Sequence, residues 1–340
     1  MKKKRSRVRI WITVLLFAGA MLFAAGMVGR WYLFERPLPF KSDRVEFHVV
    51  AGSSVRSIAQ AARTAGIELN ADAMVAAARL TGAAQSLRAG RYSVERGVTL
   101  GELLAKLRAG DVVRERLTLV EGIVFREMRA LLAAQMQLKQ DSVRMSNEEL
   151  LKAIGASETH PEGLFAPETY VYDPGTSDLD IYRQAYRAQT KLLQEAWAAR
   201  APDMPYANPY EALIMASIIE KETGQAAERA MIGGVFVNRL RLRMLLQTDP
   251  SVIYGIGPSF DGNLRKRDLL ADGPYNSYTR AGLPPTPIAL PGRASIEAAL
   301  RPASTSALYF VARGDGTSQF SATLAEHNRA VDTYQRCCRK

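Results

Sequence analysis

Two acids close an apolar run in the stretch NPYEALIMASIIEKETG, residues 208–224: Glu220 and Glu222, with Lys221 between them. Helix signals frame this run. Asn208 is placed to cap it, Pro209 takes the first helical position, Glu211 lies in the first turn, and Gly224 reads as the stop. At about 100° per residue, positions 213, 216, 217 and 220 share one face and 215, 218, 219 and 222 the other. Glu220 and Glu222 then stand about 200° apart, so only one of them can point into a given cleft. Both faces are apolar, and periodicity does not choose between the two acids.

A carboxyl held against apolar walls has its ionised form disfavoured, which makes it a usable general acid near neutral pH. Glycosidic cleavage needs such an acid to protonate the departing oxygen, and most glycosidases add a second carboxylate as nucleophile or base. A lytic transglycosylase dispenses with the second group. The C6 hydroxyl of muramic acid attacks C1, a 1,6-anhydro ring closes, and one Glu serves as acid and then as base. The competing role for Glu220 is structural: a helix C-terminal acid in an ion pair with a nearby Arg or Lys.

The 340 residues are enough for two compact domains, and 47% hydrophobic content permits a sizeable core. The formal charge is +11. Six basic residues (Lys2, Lys3, Lys4, Arg5, Arg7 and Arg9) occupy the first nine positions, and setting them aside leaves a modest +5. No basic stripe interleaved with aromatics follows, which argues against nucleic acid as a partner. Directly after the basic cluster, IWITVLLFAGAMLFAAGMVG runs for 20 residues without a charge. As a helix it spans roughly 30 Å, a bilayer core, with Trp11 at one end and Trp31 and Tyr32 at the other as interfacial anchors. A cleaved signal peptide is the alternative, with AGA at 18–20 as its processing site. The apolar run continues past that point, so a retained single-pass anchor is expected. Its N-terminus would face the cytoplasm and the rest of the chain the periplasm, at the cell inner membrane. Cys337 and Cys338 are adjacent in the tail and cannot staple distant parts of the fold. His48, His160 and His327 are scattered, so neither a metal nor another cofactor is expected.

The elements that must position the acids follow from the pattern. Three times a strand is followed by a Gly and an amphipathic helix: from Phe47 through Gly52, from Tyr92 through Gly97, and from Leu117 through Gly122. Between the first two, NADAMVAAARLTG adds a helix capped by Asn70. Residues 45–112 thereby form a β-α-α-β-α module, resembling a LysM glycan-binding fold, with a generic α+β packing domain as the alternative. Residues 126–200 read as mostly helical, Ser146 and Glu149 opening one helix with a capping box, and EGLFAPETYVYDPGTSD reads as a structured loop. Residues 247–293, rich in Gly, Pro, Asn and Tyr, form too long an irregular stretch for a connector. The expected fold is α+β: a basic segment (1–9), a transmembrane helix (10–29), a linker (30–44), a LysM-like subdomain region (45–125), a mostly helical catalytic domain with long ordered loops (126–335) and a tail (336–340).

Four segments carry a family resemblance: EGLFAPETY; ASIIEKETG with the following ERAMIGGVFVNRLRLRMLLQTDPSVIYGIG; YNSYTRAGLPPTPIALPG; and EHNRAV. Together they resemble the YceG-like family of endolytic murein transglycosylases over about residues 45–335. The resemblance implies cleavage of the MurNAc–GlcNAc β-1,4 bond within nascent peptidoglycan strands at the inner membrane, beside the penicillin-binding synthases. It assigns the catalytic role to Glu220, the first Glu of the EKET motif. Glu222 then becomes a supporting residue or an ion-pair partner of Arg229 or Arg239. It also implies that Gln247, Thr248, Asp249 and Asn276 offer hydrogen bonds to sugar, that Tyr254, Tyr275 and Tyr278 offer rings, and that Glu162 binds substrate or orients a loop. Pro284, Pro285 and Pro287 stiffen the cleft wall. Two positions depart from the family pattern: Ser318 stands where members often carry His, and Pro161 where an apolar residue is more usual. A non-catalytic peptidoglycan-binding scaffold that recruits wall synthases is the alternative function.

Overall fold

The computed structural model describes residues 2–336, with the backbone alone for residues 2–14; the Cys337–Cys338 tail lies outside them. Helix α1 (Lys2–Arg30) contains the expected apolar span. The stretch Leu15–Glu35 has the length and composition of a single membrane crossing, and residues 15–30 of it are exposed throughout. The remaining elements mix helices with three two-stranded sheets, and the chain divides into two units.

The first unit comprises residues 1–115 with 172–174. Strand β1 (Arg44–Val49) pairs antiparallel with β2 (Gly90–Glu95), with Phe47 opposite Tyr92 and their rings stacked at 5.8 Å. The period of two buries Val45, Phe47 and Val49 on one face. Helices α2 (Val55–Ala65), α3 (Ala71–Leu80) and α4 (Leu100–Ala109) cover that face with Ile58, Met74, Leu103 and Leu107. The Asn70 side chain caps α3 as its sequence indicates, accepting from the N–H groups of Asp72 and Ala73. Gly52 and Gly97 make the strand-to-helix turns at φ +80° and +97°, a region that favours glycine. The segment after the anchor is docked rather than free: Leu33, Phe34, Leu38 and Phe40 pack on this core, and Leu38 N–H donates to Val98 O at 2.9 Å.

The second unit comprises residues 116–171 and 175–340. Strand β3 (Glu115–Thr118) pairs with β4 (Thr169–Tyr172), each with all but one terminal residue in this unit. Four residues are too short to stand out in a segment that reads as loop. The pairing nonetheless buries alternate tyrosines, Tyr170 and Tyr172. Gly122, at φ +80°, turns the chain into α5 (Phe125–Ala133); then come α6 (Asn147–Ile154), with the Ser146–Glu149 capping box, and α7 (Asp178–Ala198).

Helix α8 (Pro209–Glu222) is the centre of this unit, with every residue from Ala212 to Ile219 buried. It stops at Glu222, before Gly224, because Thr223 is already extended. Helices α9 (Arg229–Arg241) and α12 (Arg293–Leu300) pack on it and on each other. Gly233 and Gly234 let the α9 backbone approach the carbonyls of Ala298 and Ala303 so closely that a methyl group at either would collide. The 247–293 stretch is less irregular than its composition indicates. It contains α10 (Asp249–Ile256) and α11 (Lys266–Leu270), helices shorter than two and a half turns whose apolar periodicity is too brief to register. A hairpin of β5 (Tyr309–Ala312) and β6 (Ser318–Ser321) and helix α13 (Leu324–Val331) complete the unit.

Candidate active site

Three segments of the second unit meet at the end of α8. Glu220, on the helix's last turn, has only 5% of its side chain exposed. Its Oε1 accepts from Arg229 Nη2 at 3.1 Å and its Oε2 from the Gly292 N–H at 2.9 Å. One turn earlier on the same face, the Ser217 hydroxyl accepts from the Ile288 N–H at 2.9 Å and donates to Ile214 O. The face at 217 and 220 thus anchors the segment 288–292. That segment is tied in turn to the turn before α5, where Gly122 N–H donates to Leu290 O and Leu290 N–H to Ile123 O. Lys221 Nζ donates to Gly122 O at 3.1 Å. Arg229 lies 3.6 Å from a second carboxylate, that of Glu121, whose side chain packs over Gly292.

Glu222 turns the other way, as the 200° offset requires. Its Oε1 accepts from the Thr248 hydroxyl. Burial pushes its pKa up to about 7, opposed by the Thr248 hydrogen bond and Arg239 and reinforced by the charge of Asp249. No Arg or Lys lies within ion-pairing distance of Glu222 among the described residues: Arg229 pairs with Glu220, and Arg239 is spent on the carbonyls of Leu245, Leu246 and Leu308. The expectation of a Glu222–arginine ion pair is therefore corrected. Arg229 is on the opposite side of the helix end, and Arg239 is directed to backbone carbonyls.

A cleft of about 790 Å³ opens beside this site, lined among others by Phe125, Glu162, Lys221, Tyr254 and Tyr275. Glu162 is 3% exposed. It accepts from Phe125 N–H at 2.8 Å, at the first residue of α5, and from the Tyr254 hydroxyl at 3.1 Å. Burial raises its pKa to about 7 against these two hydrogen bonds. The Tyr254 and Tyr275 rings meet edge to face at 4.9 Å, and the Tyr275 hydroxyl bonds with that of Thr286 at 2.9 Å.

The other expected site residues divide by what their polar atoms already do. Thr248 is buried, its hydroxyl on Glu222 and its N–H donating to Ser277 Oγ at 2.9 Å. Asn276 is buried too. Its amide nitrogen donates to the carbonyls of Asp268, Leu269 and Ala271 at the end of α11, and its oxygen accepts from Tyr278 N–H. Gln247 is exposed at φ +51°, a left-handed conformation held by its N–H on Ser277 O and by Arg239 reaching its side-chain oxygen at 3.4 Å. Asp249 is exposed and accepts from the Tyr278 hydroxyl, whose ionisation is pushed well above the ordinary tyrosine range, first by burial and then by that carboxylate. Ser318 donates both its N–H and its hydroxyl to Glu228, each at 2.7 Å, just before Arg229.

Sequence reasoning missed Glu121, Arg229 as the partner of Glu220, and the Gly292 N–H. The signals were present but indirect: Glu121 precedes the turn glycine Gly122, and Gly292 closes the PPTPIALPG segment.

Comparison with known proteins agrees with this architecture. A family model described as the YceG-like family matches residues 47–333. A protein of Bacillus subtilis named endolytic murein transglycosylase is 33% identical over 331 residues, 91% of each chain. One of the same name from Streptococcus pneumoniae is 25% identical over 362 residues, covering 96% of this chain but 65% of its own length. Among solved structures, a yceG-like protein from Listeria monocytogenes matches with a TM-score of 0.56 at 30% identity, over 84% of this chain and 98% of that one. This chain belongs to the YceG-like family.

Proposed function

We propose that the protein is a membrane-anchored lytic transglycosylase that cleaves the MurNAc–GlcNAc β-1,4 bond within nascent peptidoglycan strands and leaves 1,6-anhydro-MurNAc ends. The observation that carries this reading is the Glu220 carboxylate, held on both oxygens at the end of a buried helix. The names of the curated relatives support the same substrate. In the proposed reaction the protonated form of Glu220, with Arg229 compensated by Glu121, gives its proton to the glycosidic oxygen as the C1–O bond breaks. The C6 hydroxyl then bonds to C1 and returns its proton to Glu220, so no water is consumed and the enzyme regains its starting state. Arg229 and the Gly292 N–H fix the carboxylate in place, the positional contribution that such catalysis needs. Glu121 offers Arg229 a second carboxylate at 3.6 Å, so the guanidinium stays compensated while Glu220 carries the proton.

In this reading Gln247, Asp249, Tyr254, Tyr275 and Tyr278 meet the glycan. Thr248, Asn276, Glu162 and Glu222 act by holding the loops, because their polar atoms are already engaged. The β-α-α-β-α order of the first unit supports a LysM-like, glycan-binding subdomain region at 45–125, ahead of a catalytic domain at 126–335. Helix α1, preceded by the basic segment, supports a single-pass inner-membrane anchor with the catalytic part in the periplasm, near the synthases that make the strands.

The test is mass spectrometry of muropeptides after digestion of uncrosslinked strands with the wild type and with Glu220→Gln. The wild type should release anhydro-ended products, and the variant should remain folded, by circular dichroism, while losing about 10³-fold of the rate. Undiminished product from Glu220→Gln overturns the assignment of the acid. Products with free reducing ends overturn the transglycosylase step. Strand binding with no cleavage at all by the wild type favours a scaffold.

A further inference from the structure

The cleft beside Glu220 holds two cations that the protein leaves uncompensated. Lys221 is the residue after Glu220, and its side chain is exposed and lines the cleft. Its ammonium has one hydrogen bond, to the neutral carbonyl of Gly122 at 3.1 Å. Arg126, on the first turn of α5, lines the same cleft and is also exposed. Neither has a carboxylate within 4.0 Å among the described residues, whereas Arg229 nearby touches two. The acids of the cleft are occupied elsewhere. Glu127 accepts from the Val124 N–H as a capping group, and Glu162 is saturated by Phe125 N–H and the Tyr254 hydroxyl. Phe125, Ile253, Tyr254 and Tyr275 supply apolar wall between these charged groups. Two cations without a carboxylate partner, set beside low-dielectric walls, favour an anion, and a neutral sugar makes no use of them. The volume, about 790 Å³, is in the range of sites that enclose a sizeable ligand.

Lys221 follows Glu220 directly, so whatever enters this cleft is attached to, or next to, the sugar whose glycosidic bond Glu220 meets. We propose that the cleft flanked by Lys221 and Arg126 seats an acidic peptide substituent of the glycan, so that the enzyme acts on peptide-bearing strands in preference to denuded ones. This rests on the transglycosylase reading above and names its substrate class. The muramic sugar that supplies C1 and C6 to the reaction also carries the peptide on its lactyl group, so one bound unit satisfies both sites. The carboxylates of the peptide pair with Lys221 and Arg126, and its short aliphatic side chains meet the ring walls.

The test uses the full-length protein in detergent and three preparations of the same strands: peptide-bearing, stripped of peptide by an amidase, and peptide-bearing with the carboxylates converted to amides. For the wild type, kcat/KM should fall at least about tenfold from the first preparation to each of the other two, and the difference should shrink at high salt. Lys221→Met should narrow the ratio between peptide-bearing and stripped strands to within about twofold, and Lys221→Arg should restore most of it. Equal wild-type kcat/KM on all three preparations overturns the proposal. So does a Lys221→Met variant that slows cleavage of stripped and peptide-bearing strands alike, which marks Lys221 as a brace for Gly122. If the wild type cleaves no preparation, the transglycosylase reading falls and takes this proposal with it.

Discussion

At the residue scale, the second unit holds three buried or half-buried glutamates in two different states. Glu220 is ion-paired, while Glu162 and Glu222 are held by neutral donors and pushed by burial to pKa values of about 7. The sign of their effect on stability is definite. The native protein binds these protons more tightly than the unfolded chain, whose carboxyls titrate near 4.5. Unfolding free energy therefore falls as pH rises from about 4.5 to about 7, then levels off. Each group contributes up to ~3 kcal/mol of that decline. Glu162→Gln keeps the shape of the side chain and cannot ionise, so its stability should be flatter than that of the wild type between pH 4.5 and 8 in urea denaturation. A parallel pH dependence in the two proteins contradicts the assignment. Arg229→Met should cost about 3 kcal/mol, because it leaves the Glu220 carboxylate in a 5%-exposed site with only the Gly292 N–H. Chemical denaturation of the variant checks that figure.

At the element scale, α8 does two jobs with its two sides. Residues 217 and 220 hold the 288–292 segment by its N–H groups, while Glu222 holds the start of α10 through Thr248. Ser217→Ala should cost about 1–3 kcal/mol, since it leaves the buried Ile288 N–H without an acceptor. It should also lower activity if the 288–292 segment carries Gly292 to Glu220, which a fluorescent strand-cleavage assay would read. Gly233→Ala should be at least as costly, about 1–3 kcal/mol, because the added methyl meets the Ala298 carbonyl, a backbone group that has nowhere to move. A melting temperature equal to that of the wild type rules out the close approach of α9 and α12. The divergence of Glu220 and Glu222 was legible in the helix period alone. The helices α10 and α11 were not, because eight and five residues are too few for an apolar period to show, and α11, with no buried residue, is held at its end by the distant Asn276 amide.

At the scale of the whole molecule, the apolar helix α1 stands apart from the packed parts of the chain, while residues 31–44 dock on the first unit. Deleting residues 2–30 should free the protein from membrane fractions and shift its melting temperature by less than about 2 °C, because residues 15–30 are exposed in the fold. Extending the deletion to residue 40 should lower it by more, since Leu33, Phe34, Leu38 and Phe40 leave the core. Fractionation and differential scanning calorimetry of the two truncations distinguish these outcomes. The sequence alone settled what neighbours a few residues apart decide: the apolar span, the glycine turns at 52, 97 and 122, the caps at Asn70, Ser146 and Asn208, and the opposed directions of Glu220 and Glu222. Only the tertiary structure decided that Arg229 rather than Arg239 is committed to a glutamate, and that the glutamate is Glu220. It alone showed that Asn276 spends its amide on the end of α11 and that the Gly292 N–H, 72 residues from Glu220, reaches its carboxylate. The physical reason is range. Helix period, caps and turn dihedrals are properties of a short stretch of backbone, whereas the partner of a buried polar group is whichever donor the packing of distant segments brings within 3 Å.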